Sequence, residues 1–193
     1  MWKARWSQSV KPKSNSVFLC LTLHLIFILS VGFCPHVRGS QANVAYFAGG
    51  CFWCTEAIFE AAPGVTSVVS GYMHGAETVQ VTFDPARTSY DKLLILFWEA
   101  HDPTEVDRQG GDVGKQYRSA IFYVNDQQRE AAQRLKPQVQ KFYSKPIVTE
   151  ITRSGSFRAA PENHQNFCRK NPNNAYVREV VAPKLQKLGL QKH

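Results

Sequence analysis

From Ala42 to Thr152 short β-rich runs alternate with helical runs, and that order narrows the possible folds more than any other feature. Ala42–Ala48 reads as a strand stopped by Gly49-Gly50. Phe52 to Ala62 reads as a helix with Ile58, Phe59 and Ala62 on one face, ended by Pro63-Gly64. Val65–Tyr72 and Ala76–Phe83 are strands of a hairpin turning at Met73-His74-Gly75. Ser89 opens a helix whose Tyr90, Leu93, Leu94, Phe97 and Trp98 recur at helical spacing. His101 to Gln116 is a Gly/Asp-rich loop, long enough to carry function. Arg118–Val124 reads as a strand, Asp126–Tyr143 as a helix weakened by Pro137, and Ile147–Thr152 as a last strand. An irregular C-terminal tail follows, with one short helix near His164–Lys170. The order β-α-β-β-α-β-α-β is that of an α/β (α+β) fold: a ferredoxin-like split βαβ core with an extra helix and strand.

Ahead of this unit lies a segment of different character. Of the surplus of eight positive charges, five (Lys3, Arg5, Lys11, Lys13 and Arg38) fall in residues 1–42, which hold no acid. The rest of the chain is only mildly basic, with both signs interspersed and no Lys/Arg cluster, so nucleic acid is not an expected partner. Four of those bases precede an apolar run, Val17 to Phe33. Basic, apolar and then small residues make up a secretory signal peptide, with cleavage frames after Gly39 or Ala42. The alternative is an uncleaved anchor, because the run approaches spanning length. Either way the expected location of the single domain, 43–193, is outside the cytoplasm: periplasmic, secreted, or membrane-anchored.

Cys20 and Cys34 belong to that leader; Cys51, Cys54 and Cys168 remain. Three cysteines in an exported domain make no disulfide framework and point to thiol chemistry or a metal site. Cys51 and Cys54 stand where a strand turns through Gly49-Gly50 into a helix. A cysteine there meets unpaired N–H groups and the positive end of the helix dipole, which predicts a lowered thiol pKa. Phe52 and Trp53, between the sulfurs, either pack the core or wall an apolar pocket beside the thiol. Glu77 shares strand parity with Val79, Val81 and Phe83, so alternation turns it to the apolar face. Burial there would raise its pKa and make it a proton donor.

Several segments carry a resemblance: FAGGCFWC, HGAETVQVTFDP, LLILFWEAHDPTE, RQGGDVGKQYRSAIFY and ENHQNFCRKNP. Together they resemble the peptide-methionine sulfoxide reductase A family over about residues 43–172. The resemblance implies Cys51 as nucleophile, Glu77 as acid, Phe52 and Trp53 as the methyl pocket, and Asp112 and Tyr117 as groups orienting the sulfoxide oxygen. It also implies S-epimer specificity, free or protein-bound methionine sulfoxide as substrate, a Cys51 sulfenic acid intermediate, and a disulfide reduced by a thioredoxin-like donor. No prosthetic cofactor or metal is expected, and a monomer is. At two places the sequence departs from the family. Only Met73-His74-Gly75-Ala76 separates Tyr72 from Glu77, where the family carries a longer loop with a tyrosine. The C-terminus lacks the Gly-rich, cysteine-bearing tail of many members. Cys54 is then the expected resolving cysteine, one helical turn from Cys51, with Cys168 a small buried apolar residue and His164 a hydrogen-bonded structural one.

Two other classes share the CxxC: a thioredoxin-like thiol–disulfide exchanger, and a zinc-binding structural module using Cys51, Cys54, His164 and Cys168.

Overall fold

A computed structural model describes residues 43–190; the leader, with its cleavage frames, lies outside the described residues. Strand β1 (Val44–Gly49) leads into helix α1 (Phe52–Glu60), followed by the hairpin β2 (Val65–Met73) and β3 (Ala76–Phe83) and helix α2 (Tyr90–Ala100). Two short strands, β4 (Arg108–Gln109) and β5 (Asp112–Val113), and a 3₁₀ turn (Lys115–Tyr117) precede β6 (Ser119–Tyr123). Helix α3 (Asp126–Gln140) and strands β7 (Glu150–Arg153) and β8 (Arg158–Ala159) come next. The chain then forms a 3₁₀ turn (Glu162–His164), helix α4 (Phe167–Lys170), a π-helical stretch (Val177–Val181) and helix α5 (Ala182–Leu188).

The sheet order is β7-β6-β1-β3-β2-β8, antiparallel throughout except for β6 beside β7. Its inner four strands, β6-β1-β3-β2, have the order of a split βαβ. The extra helix and strand, α3 and β7, extend it at one edge, as expected from the sequence. The hairpin turns on His74 and Gly75, both at positive φ (49° and 75°), the geometry of a two-residue type I′ loop. That turn sets the register Tyr72↔Glu77 and Met73↔Ala76, which fixes the face that Glu77 occupies.

One sheet face is sealed by α1 and α2. Phe47 of β1 stacks on Phe59 at 4.9 Å and on Phe97 at 5.1 Å between ring centroids. Leu93, Leu94 and Trp98 are buried there as well. Each such side chain contributes about 1.5–3 kcal/mol of burial. On the opposite face Ala48, Met73, Ala76, Ala120 and Phe122 form a second cluster, covered by Tyr46 and Phe157.

Three expectations need correcting. The last core strand starts at Glu150, not Ile147, because the preceding backbone bonds elsewhere: Ile147 N–H to Gln140 Oε1 and Val148 N–H to the Pro103 carbonyl. Helix α3 passes through Pro137 but stops at Gln140. The tail is more ordered than one short helix: β8 adds to the free edge of β2, and the π-helical stretch and α5 return against α1. Close approach at β8 requires Gly71, where a Cβ would lie 2.4 Å from the Phe157 ring and 2.5 Å from the Arg158 carbonyl oxygen.

Candidate active site

Cys51 is the N-cap of α1, and Gly50 before it has φ +97°, a conformation that favours glycine. A Cβ at Gly50 would also come within 2.7 Å of Gln109, so the loop carrying β4 and β5 can press onto the strand–helix junction. Gln109 is itself pinned: its amide donates to the Asp102 carbonyl and its Oε1 accepts from Asp102 N–H. This loop delivers Asp112 and Tyr117 to the mouth of the site.

Strand parity placed Glu77 correctly. It is 7% exposed, and its Oε2 accepts from the Phe52 N–H at 2.9 Å, in the first turn of the helix that Cys51 caps. Burial raises the Glu77 pKa to about 7; the Phe52 N–H opposes the rise and Asp112 adds to it. Half-protonated at neutral pH, Glu77 can donate a proton.

The expectation of a low Cys51 pKa is overturned. The sulfur is 8% exposed, and burial, with the Glu77 and Asp112 carboxylates, pushes the thiol up to about 12 despite the help of Tyr176 and the Trp53 N–H. The helix terminus favours thiolate, but desolvation and two facing carboxylates outweigh it. A proton on Glu77 removes one of those repulsions.

Phe52 is buried with its edge against Tyr72 at 5.5 Å. Trp53 is half-buried and lies in an aromatic stack with Phe167 at 3.7 Å and His164 at 5.7 Å, with Tyr176 edge-on at 6.1 Å. Both rings thus flank the thiol, and the tail packs the outer face of Trp53. His164 is held by this stacking, and its buried Nδ1 has no hydrogen-bond partner among the described residues.

Two contributors escaped the sequence reading. The Tyr176 hydroxyl donates to Asp112 Oδ2 at 2.9 Å and also reaches the Cys51 sulfur. Its one proton serves a single partner at a time, so it can follow the charge from carboxylate to thiolate. Lys184 of α5 stands close enough to Cys54 for its charge to favour the thiolate. Neither sits in a periodic run, and an aromatic after Asn-Pro-Asn-Asn-Ala or a lysine after proline is no local signal.

Cys54 is 4% exposed and its thiol pKa is raised, first by burial. Both cysteines are buried, so a bond between them at the helix end would be covered as well. Cys168, expected to be buried, is half-exposed. Its thiol donates to the Trp53 carbonyl at 3.3 Å, and its side chain packs on the cluster of Cys54, Ile58, Ala100 and Val181. Among the described residues no group of three or more His, Cys, Asp or Glu side chains is arranged to hold a metal ion, which leaves the zinc-module alternative without a ligand set.

The sequence pattern of the peptide methionine sulfoxide reductase family matches residues 43–77 and 74–193, the two stretches meeting at the tight β2–β3 hairpin. The chain is 46% identical over 162 residues to peptide methionine sulfoxide reductase MsrA 1 of Rhodopirellula baltica, covering 75% of this chain and 84% of that protein. It is similar to the reduced form of Mxr1 from Saccharomyces cerevisiae, with a TM-score of 0.65, 28% identity, and coverage of 68% of this chain and 86% of that one. It is also similar to Mxr1 in complex with Trx2, with a TM-score of 0.52, 26% identity, and coverage of 64% and 83%. The family pattern runs along nearly the whole described chain, over a CxxC at a strand–helix junction beside a buried glutamic acid, and this protein is a member of the peptide methionine sulfoxide reductase family.

Proposed function

We propose that this thiol-dependent methionine sulfoxide reductase works on the S epimer, free or protein-bound, with Cys51 as nucleophile, Glu77 as acid and Cys54 as resolving thiol. One observation carries the reading: the first amide of α1, Phe52 N–H, holds the buried Glu77 carboxyl at 2.9 Å against the turn that begins at Cys51. The methyl group of the substrate enters between Phe52 and Trp53, and its oxygen faces Glu77, Asp112 and Tyr117. Glu77 gives its proton to the sulfoxide oxygen, which makes the sulfur electrophilic. The Cys51 sulfur attacks the substrate sulfur, the protonated oxygen passes to Cys51 as the substrate's sulfur–oxygen bond and the transient sulfur–sulfur bond break, and methionine leaves. Cys51 keeps the oxygen as a sulfenic acid, and the thiol proton replaces the one Glu77 spent. Apolar, polar and nucleophilic contacts at three different points define a handed site, and the family resemblance assigns the hand to the S epimer.

Cys54 then closes a disulfide with Cys51. A thioredoxin-like dithiol protein is the reductant, a reading supported by the structure of Mxr1 in complex with Trx2; no prosthetic group takes part. The basic, acid-free leader supports export of residues 43–193, with cleavage near Gly39 or Ala42 or retention as an anchor.

Single-turnover assays of the full-length chain with each epimer test the reading. About one methionine per chain is expected from the S epimer and none from the R epimer. Equal turnover of both, or of neither, contradicts it.

A further inference from the structure

Both cysteines of the proposed cycle are faced by a polar side chain of the C-terminal segment: Cys51 by Tyr176 and Cys54 by Lys184. The second contact is the more informative. Cys54 lies in an apolar cluster with Ile58, Ala100 and Val181, and Leu185 of α5 packs against it. A bare thiolate is costly in such a place, so a buried sulfur that must act as a nucleophile needs a cation in contact with it. The ammonium of Lys184 meets that need: its charge favours a negative Cys54 sulfur, and it stands in the chain between Val181 and Leu185, both packed into the same cluster as Cys54.

The other groups facing Cys54 do not substitute for it. From α1 there is Cys51; from the β5 loop the Asp112 carboxylate, which opposes a negative sulfur; from the tail Cys168 and Tyr176. His101, at the end of α2 beside Ala100, is held neutral, its pKa lowered to about 4 by burial and further by Lys184 itself. Lys184 is the cation acting on this sulfur.

We propose that Lys184 activates Cys54 as the resolving nucleophile, its ammonium holding the charge on sulfur while Cys54 attacks the Cys51 sulfenic acid. This rests on the reading of Cys54 given above. In the step itself the Cys54–Cys51 sulfur–sulfur bond forms and the Cys51 sulfur–oxygen bond breaks. The hydroxyl leaves as water with one proton from Glu77, and the proton lost by the Cys54 thiol restores the balance. Lys184 keeps its own proton, and no outside oxidant or reductant enters.

The test follows two rates on the same sample of full-length chain reacted with one equivalent of methionine sulfoxide without reductant: release of methionine, and closure of the Cys51–Cys54 bond by quenched mass mapping. With Lys184→Met the ratio of closure to release is expected to fall about tenfold, and the pH midpoint of closure to rise by about one unit, the same tenfold in other terms. Lys184→Arg should restore most of the ratio; it also serves if the methionine variant folds poorly. Unchanged closure and an unchanged pH midpoint in Lys184→Met would overturn the role of Lys184. Wild-type chain that forms no Cys51–Cys54 bond would instead overturn the reading of Cys54 beneath it, and the two failures are distinguishable.

Discussion

The strand–helix cradle at residues 44–60 and the tail at residues 157–190 meet at the same two sulfurs, yet they are held by different forces. In the cradle, β1 is laddered on both sides by β3 and β6, and Ala45, Phe47 and Ala48 are wholly buried. The tail has a two-residue strand, a four-residue helix and a helical stretch over residues 177–188, and most of its residues are exposed. Side chains fasten it. The Gln165 amide group accepts from Ser70 N–H and donates to the Ser70 and Ala160 carbonyls, Phe167 stacks on Trp53, and Tyr176 bonds to Asp112. Backbone ladders give rigid placement of the nucleophile and acid. Side-chain fasteners give a segment that can open locally at lower cost than the core, and low-stability segments are where access to a covered site arises.

Substitutions at the joint between the two regions probe this difference most strongly. Trp53→Ala removes the ring on which Phe167 and His164 stack. A loss of about 3 kcal/mol is expected, the low end of the range for truncating a buried aromatic, because Trp53 is only half-buried. Hydrogen exchange should rise sharply across 157–190 and little in β1 and β3. Equal loosening of both regions would break the comparison.

Within the cradle, Glu77→Gln should keep the fold and lose roughly 10²-fold in reductase rate, the scale of positioned acid catalysis. Wild-type activity should fall as pH rises through about 7, where Glu77 loses its proton, and the glutamine variant should lack that limb. The stability dependence has a defined sign. The folded pKa lies above the ordinary carboxyl value, so the contribution of Glu77 is present in acid and is lost as pH rises from about 4.5 through 7. Thermal melts of the variant should therefore gain on wild type at pH 8 and not at pH 4.

The smallest effect belongs to the tail. Tyr176→Phe deletes a hydroxyl shared by Asp112 and Cys51. About a tenfold fall in the rate of methionine release is expected, the worth of one hydrogen bond to a charged group, with stability nearly unchanged. Kinetics equal to wild type would show that the tail closes the pocket without contributing to its chemistry.

The same division explains what could be read in the sequence. Glu77 was legible because strand alternation has a period of two and its neighbours Val79 and Val81 declare the buried face. Cys51 was legible because Gly-Gly-Cys at a strand–helix junction is a local feature. The direction of its pKa shift was not: how deeply a helix terminus is buried, and which carboxylates face it, depends on segments far along the chain. Asp112 and Tyr117 entered through the family resemblance, since a Gly/Asp-rich loop does not announce where its side chains point. Tyr176 and Lys184 were invisible because the tail is placed by contacts to partners 64 to 115 residues away in sequence, not by periodicity. β8 was missed because two residues cannot show alternation.

Peptide mapping of the full-length chain tests the central claim most directly: oxidise it with one equivalent of the S epimer in the absence of reductant, then locate the bridge. The account predicts a Cys51–Cys54 disulfide, with Cys168 as a free thiol, and a persistent Cys51 sulfenic acid in Cys54→Ser. A Cys51–Cys168 bridge in the wild-type chain would contradict it.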